Sequence, residues 1–253
     1  MLILTFDNTF EGFLSVVFTC YAEKLIPHDI LPTNHFQEKL FAEVRHIDTN
    51  IVHTERVWAG LQKKLNRRAK EMPYRIFLSE MPEAYIRLYK YIRRVFDTNA
   101  YVDSDWGDPH VMELRKLDRE VTREAMRMLQ FIRFEKTKDN IYFAPIEPRH
   151  NVIPLIINHF KSRFSDQQWL IYDLKRDYGI FFDLKKVEEI TLNNKQFDEI
   201  RGRLNTNVVM ENESTYQRLW KNYFQSINIK ERCNKKLQRQ HMPQRFWKFL
   251  PEK

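Results

Sequence analysis

Residues 141–183 read IYFAPIEPRHNVIPLIINHFKSRFSDQQWLIYDLKRDYGIFFD, and this stretch decides the fold. Ile141 to Ile146 is a short run of apolar and aromatic side chains, the composition of a strand. Phe131 to Lys136 upstream has similar character, and Lys138-Asp139-Asn140 supplies a polar turn between them, so the pair reads as a β-hairpin. Glu147-Pro148-Arg149-His150 then breaks the strand. A helix follows through Val152, Leu155, Ile156 and Phe160, with Pro154 in its first turn, where a missing N–H is tolerated. Trp169 to Leu174, a turn over Arg176 to Gly179, and Ile180 to Asp183 form a second hairpin; Val187 to Leu192 adds a strand. This order predicts an α+β fold: an antiparallel sheet built from two or more hairpins, with helices packed on one face.

Outward from this centre the chain reads as helical, with a helical N-terminal half and a helical basic C-terminus. Met1 to Phe6 is a first strand turning at Asp7-Asn8. A helix capped by Asn8 or Thr9 carries Phe10, Phe13, Leu14, Val17, Phe18 and Tyr21 at helical spacing. Pro27 stops it, and the stretch to Pro32 reads as a loop. Arg45 to Thr49 is a short strand. Helices follow from Asn50, whose far end Lys63 to Lys70 is strongly basic, and between Pro82 and Phe96. Pro109 suits the first position of a long helix whose stripe is Val111, Leu114, Leu117, Val121, Ala125 and Met128. Tyr216, Leu219, Trp220, Tyr223, Phe224 and Ile227 make the apolar stripe of a later helix. We expect a single domain over 1–253, with 98–108 as the place for a sub-boundary.

Composition excludes several classes. Five glycines without phosphate-loop spacing leave no dinucleotide fingerprint. Two cysteines, Cys20 and Cys233, make neither a disulfide framework nor a zinc or iron–sulfur site, so no metal or cofactor is expected. They read as free thiols of a cytoplasmic protein, with Cys20 buried. No apolar run approaches the roughly 20 residues that cross a bilayer, and Met1 to Phe6 has no basic flank of the kind a signal peptide carries. Asp103, Asp105 and Asp108 share one loop, where helix capping is the commoner use of such acids than cation binding.

Charge is informative by position. From Ser214 to Lys253 there are ten basic residues and two acidic ones, a difference equal to the whole net charge of +8. A neutral body with a basic end points to a polyanion. The candidates to hold phosphates or bases are Lys230, Arg232, Lys235, Lys236, Arg239, Gln240, His241, Arg245, Trp247 and Lys248. Arg and Lys neutralise phosphates, Gln reaches base edges, and His241 and Trp247 stack on unpaired bases. Phe246 and Trp247 have a competing use as anchors of the segment to the core. Glu147 and His150 at the strand-to-helix corner are the acid–base candidates.

Four motifs carry a resemblance. Leu237-Gln-Arg-Gln-His-Met-Pro-Gln-Arg-Phe-Trp-Lys-Phe-Leu-Pro-Glu252, Tyr142-Phe-Ala-Pro-Ile-Glu-Pro-Arg-His-Asn-Val152, Trp169-Leu-Ile-Tyr-Asp-Leu-Lys-Arg176 and Phe6-Asp-Asn-Thr-Phe-Glu-Gly-Phe-Leu14 together resemble the bacterial "probable DNA metabolism protein" family, a domain of unknown function. The resemblance implies a companion radical-SAM protein proposed to repair or modify DNA, and similar domains fused to uracil-DNA-glycosylase-like domains. It implies no catalytic mechanism. The family tends toward a His and a Gly in the long helix ahead of the hairpin; this chain has neither there, with Gln130 at the glycine's place. Three functions therefore compete: a DNA-binding accessory protein in DNA repair or modification, a DNA-lesion-processing enzyme using Glu147 and His150, and a protein-interaction subunit without DNA contact.

Overall fold

In the computed structural model Leu2–Phe6 is a strand, β1, with Ile3 to Phe6 buried. The structure describes all residues except 38–40, 99–101, 103, 104, 106, 193–196, 199–202, 206, 207, 211, 227–233 and 253, and only the backbone of 197, 198, 203, 204 and 224. Thr9 caps helix α1 (Phe10–Ala22) by accepting the Gly12 N–H through its hydroxyl at 2.9 Å. Strands β2 (Asp29–Pro32) and β3 (Glu43–His46) flank β1, both parallel to it, in the order β2-β1-β3. Asn50 caps α2 (Ile51–Lys64), and α3 (Met72–Phe77), α4 (Pro82–Asp97) and α5 (Pro109–Phe131) follow.

The chain forms two compact units, Met1–Arg123 and Glu124–Lys253, dividing within α5. The core of the first is aromatic: Phe6, Phe13, Phe77 and Tyr85 pack with ring centroids 5.7 to 6.5 Å apart. Cys20 is a free thiol buried on α1, and loss of solvation pushes it up to about 11, so at neutral pH it stays protonated and unreactive. Cys233 lies outside the described residues.

The second unit holds a five-stranded sheet of β4 (Glu135–Lys136), β5 (Tyr142–Ile146), β6 (Trp169–Asp173), β7 (Tyr178–Phe182) and β8 (Val187–Ile190), in that order. Both expected hairpins form, as β4–β5 and β6–β7, but the first strand is only Glu135–Lys136: Phe131, expected to open it, is the last residue of α5. Helix α6 (Ile153–Arg163) crosses between β5 and β6, which pair in parallel with Tyr142 opposite Trp169. β6 is buried at all five positions, as a central strand is. Trp169 packs on Phe182 at 5.5 Å and on Phe160 of α6 at 6.2 Å. At Gly179 a Cβ would lie 2.8 Å from the Ile171 carbonyl oxygen and 2.6 Å from the Tyr172 ring, so only glycine lets β7 approach β6 there. A short ladder of β9 (Phe197–Asp198) and β10 (Arg203–Leu204) leads to α7 (Glu213–Ser226), α8 (Lys235–His241) and a 3₁₀ turn over Gln244–Phe249.

Three expectations need correction. The protein is mixed α/β rather than plainly antiparallel: the first sheet is parallel and the second mixed. Two hairpins joined through a helix do not place one hairpin antiparallel to the other, because an 11-residue helix is long enough to return the chain in parallel. Residues 29–32, read as loop, are edge strand β2; Pro32 sits at its end, where the sheet needs no N–H. The α7 stripe is not core: Tyr216, Leu219, Trp220 and Tyr223 are all exposed, while Ile227 and the Phe224 side chain lie outside the description.

Candidate functional site

Three of the four motifs meet in the second unit. Asp173, fully buried at the end of β6, accepts the Lys175 and Arg176 N–H groups at 2.9 and 3.3 Å and so closes the β6–β7 turn. Arg176 folds back onto it at 2.7 Å. The same guanidinium donates to the Pro148 carbonyl at 3.2 Å and the Arg149 carbonyl at 3.1 Å, where Lys175 Nζ also donates at 3.2 Å. The Tyr178 hydroxyl lies 2.5 Å from Asn151 Oδ1. The Glu147–Asn151 corner is thereby locked to the hairpin that follows it.

The C-terminal motif closes the other side. Glu124, 2 % exposed, accepts the Arg149 N–H at 2.8 Å and the Arg245 guanidinium, and Glu147 accepts from Lys248. Phe246 is buried against Phe131 at 5.4 Å. Trp247 is half-buried and donates its indole N–H to the Met242 carbonyl at 3.1 Å. Glu252 receives Arg133 at 2.8 Å and the Trp220 indole N–H at 3.0 Å. Burial alone would raise the Glu252 carboxyl; its hydrogen bonds, with Arg133 foremost among the side chains, outweigh this and hold it below its ordinary value.

The sequence candidates thus divide. Arg245 and Lys248 are spent on carboxylates of their own unit, and Glu147 is neutralised by Lys248. His150 is buried, 8 % exposed, within the packed corner. Lys230 and Arg232 lie outside the described residues. Lys235, Lys236, Arg239, Gln240 and His241 stand together on the surface of α8, whose first turn is capped by Asn234 accepting the Leu237 N–H at 3.0 Å. Among the described residues no carboxylate pairs with these three cations, whereas Arg94 in the first unit takes both Asp105 and Asp108. Asp108 also caps α5, accepting the His110 N–H at 2.7 Å; Asp103 is outside the description.

The fourth motif lies in the first unit. Asp7 follows β1, where its carboxylate accepts the Thr49 hydroxyl at 2.6 Å and the Thr9 hydroxyl at 2.5 Å. Gly12 is required beneath it, since a Cβ there would sit 2.0 Å from Asp7 Oδ1. Burial raises the Asp7 carboxyl, but the hydrogen bonds from Thr49 and Thr9 win and hold it below its ordinary value. A depressed carboxyl contributes stability above its unfolded value of about 3.9 and loses it as pH falls through the folded one. Asp7→Asn is therefore expected to destabilise the first unit at neutral pH, with the gap to wild type closing as pH drops below about 4. Denaturant titrations across that range check it; a gap independent of pH refutes the assignment. Sequence reading missed two further cavities of this unit: a cleft of about 500 Å³ lined by Phe18, Tyr21, Arg56, Val57 and Phe96, and a smaller one rich in arginine.

Fold and surface together define a mixed α/β protein of two units, with an exposed basic helix, no group of three metal-ligating side chains and no helix long and apolar enough to cross a membrane among the described residues. Residues 82–252 match the family described as a domain of unknown function, DUF4130, and the chain belongs to that family. The match takes in the three motifs of the second unit and leaves the Phe6–Leu14 motif outside. No curated protein matches the chain.

Proposed function

We propose that this protein binds DNA through α8 and serves as an accessory subunit in DNA repair or modification, holding DNA for a radical-SAM partner of the kind the motif resemblance implies. The observation that carries the reading is the basic face of α8, whose Lys235, Lys236 and Arg239 meet no carboxylate among the described residues. Lys235 and Arg239 stand four residues apart on one helix with Lys236 beside them, an arrangement of like charges that disfavours an isolated helix. A row of phosphates relieves that repulsion, and Gln240 and His241 in the last turn of the helix supply groups that meet bases. Elsewhere in the unit Arg133, Arg176, Arg245 and Lys248 each meet a carboxylate.

The test is a titration of the purified protein against single- and double-stranded DNA at several salt concentrations, beside Lys235→Ala/Lys236→Ala/Arg239→Ala. Three phosphate contacts correspond to about 2 to 3 in the slope of log K against log salt, at ~0.7–0.9 per contact. The triple variant is expected to lose that much slope and most of the affinity. Binding that is insensitive to salt, or unchanged in the variant, defeats the proposal.

One observation favours a second reading. Tyr216, Leu219 and Tyr223 form an exposed apolar row on α7, 64, 55 and 55 % exposed. Such a row suits a protein partner. On that reading partner association survives nuclease digestion and the α8 substitutions, and Leu219→Asp abolishes it.

A further inference from the structure

The basic far end of α2 leads into a turn that the DNA reading above does not use. Asn66 Oδ1 accepts the Arg68 and Ala69 N–H groups at 2.9 and 3.1 Å, fixing the course of the chain there. That turn and α5 enclose a cavity of about 110 Å³ lined by Arg68, Ala69, Met72, Arg115, Asp118 and Arg119. Its floor is apolar, with Ala69 and Met72 4 and 3 % exposed. Asp118 is the one carboxylate among the described lining residues, and Arg75 donates to both its oxygens, at 2.6 and 3.3 Å. Arg115 and Arg119 are four residues apart on α5 and so share one face of it. The third guanidinium, of Arg68, is added from the turn.

The geometry points to this cavity as a binding site for one phosphate group of a nucleic-acid strand. Guanidiniums give planar, forked donation to phosphate oxygens, which a lysine does not. At roughly 30 Å³ per water the space holds a few waters, or a tetrahedral oxyanion in their place. The apolar floor lowers the local dielectric and strengthens each contact. Anion binding here stands on the first unit alone; the identity of the strand as DNA rests on the α8 reading.

Arg68 and Arg119 are exposed, so Arg68→Ala/Arg119→Ala is expected to fold as wild type, with an unchanged melting temperature in phosphate-free buffer. Two titrations then read the site. Inorganic phosphate is expected to raise the wild-type melting temperature saturably and more than chloride at equal ionic strength, and the variant is expected to lose this. Against labelled single-stranded DNA, the variant is expected to lose about 0.7 to 0.9 of salt slope, the value of one phosphate contact. The variant carrying the three α8 substitutions separates the two readings. If it keeps wild-type DNA binding while the Arg68/Arg119 variant loses slope, α8 fails and the cavity stands. Phosphate protection without any change in DNA slope overturns the nucleic-acid source. Absence of both effects overturns the site.

Discussion

Asp173→Ala is expected to destabilise the second unit by about 3 to 5 kcal/mol, the usual result of removing one partner from a buried ion pair. Asp173 is fully buried and Arg176 is 9 % exposed, so the deletion strands a guanidinium away from water. It also orphans the Lys175 and Arg176 N–H groups that close the β6–β7 turn. Burial holds the Asp173 carboxyl above its ordinary value, and Arg176 and the two N–H groups only partly offset this. The sign follows: an acid raised on folding contributes less as pH climbs from its unfolded value through its folded one. The pair is thus no large net source of stability, and the loss on Asp173→Ala arises from what is left behind. Arg176→Met isolates the other half. A lone buried carboxyl escapes by taking up a proton, so this variant is expected to be closer to wild type at about pH 5 than at about pH 8. Denaturant midpoints at both values check it; equal losses at the two, or an Asp173→Ala loss under about 1 kcal/mol, refute the account.

Helices were legible because their ends carry local chemistry. Thr9 and Asn50 accept first-turn N–H groups as their residue types suggest, and Pro109 opens α5. Sheet pairing was not legible to the same degree. The hairpin partners of β5 and β6 lie next to them in sequence, but the parallel pairing of Tyr142 with Trp169 spans a helix and leaves no local periodicity. Strand β2 is four residues closing on Pro32, and its Ile30 and Leu31 pair with β1 through non-local bonds only. The α7 stripe shows the reverse failure: helical spacing of aromatics reveals a face, not what covers it. For the candidate site, the charge of the C-terminal segment was visible, but its division was not. That Arg245 and Lys248 meet Glu124 and Glu147, while Lys235, Lys236 and Arg239 meet no described carboxylate, depends on pairs more than 100 residues apart.

Glu124 gives the second large effect and bears directly on that division. Glu124→Leu removes the acceptor of the Arg149 N–H and of Arg245 together, from a side chain 3 % exposed, and is expected to cost about 3 to 5 kcal/mol. Replacing both members of a buried pair by apolar groups avoids the stranded charge, so Glu124→Leu/Arg245→Met is expected to recover part of the loss. About 1 to 3 kcal/mol remains, because the Arg149 N–H still lacks its acceptor. A double variant no more stable than Glu124→Leu alone shows that Arg245 is not the stranded group. The same pair then separates anchoring from recognition. If Arg245 serves to seat Phe246 in the core through Glu124, Arg245→Met lowers stability and leaves the salt slope of DNA binding as in wild type. If it neutralises a phosphate, the slope falls by about 0.7 to 0.9. Losing one positive charge weakens the long-range attraction to DNA in both cases, so slope rather than affinity is the measurement that decides. The ion pair with a buried carboxylate commits the guanidinium to the fold, and the unchanged slope is the expected result.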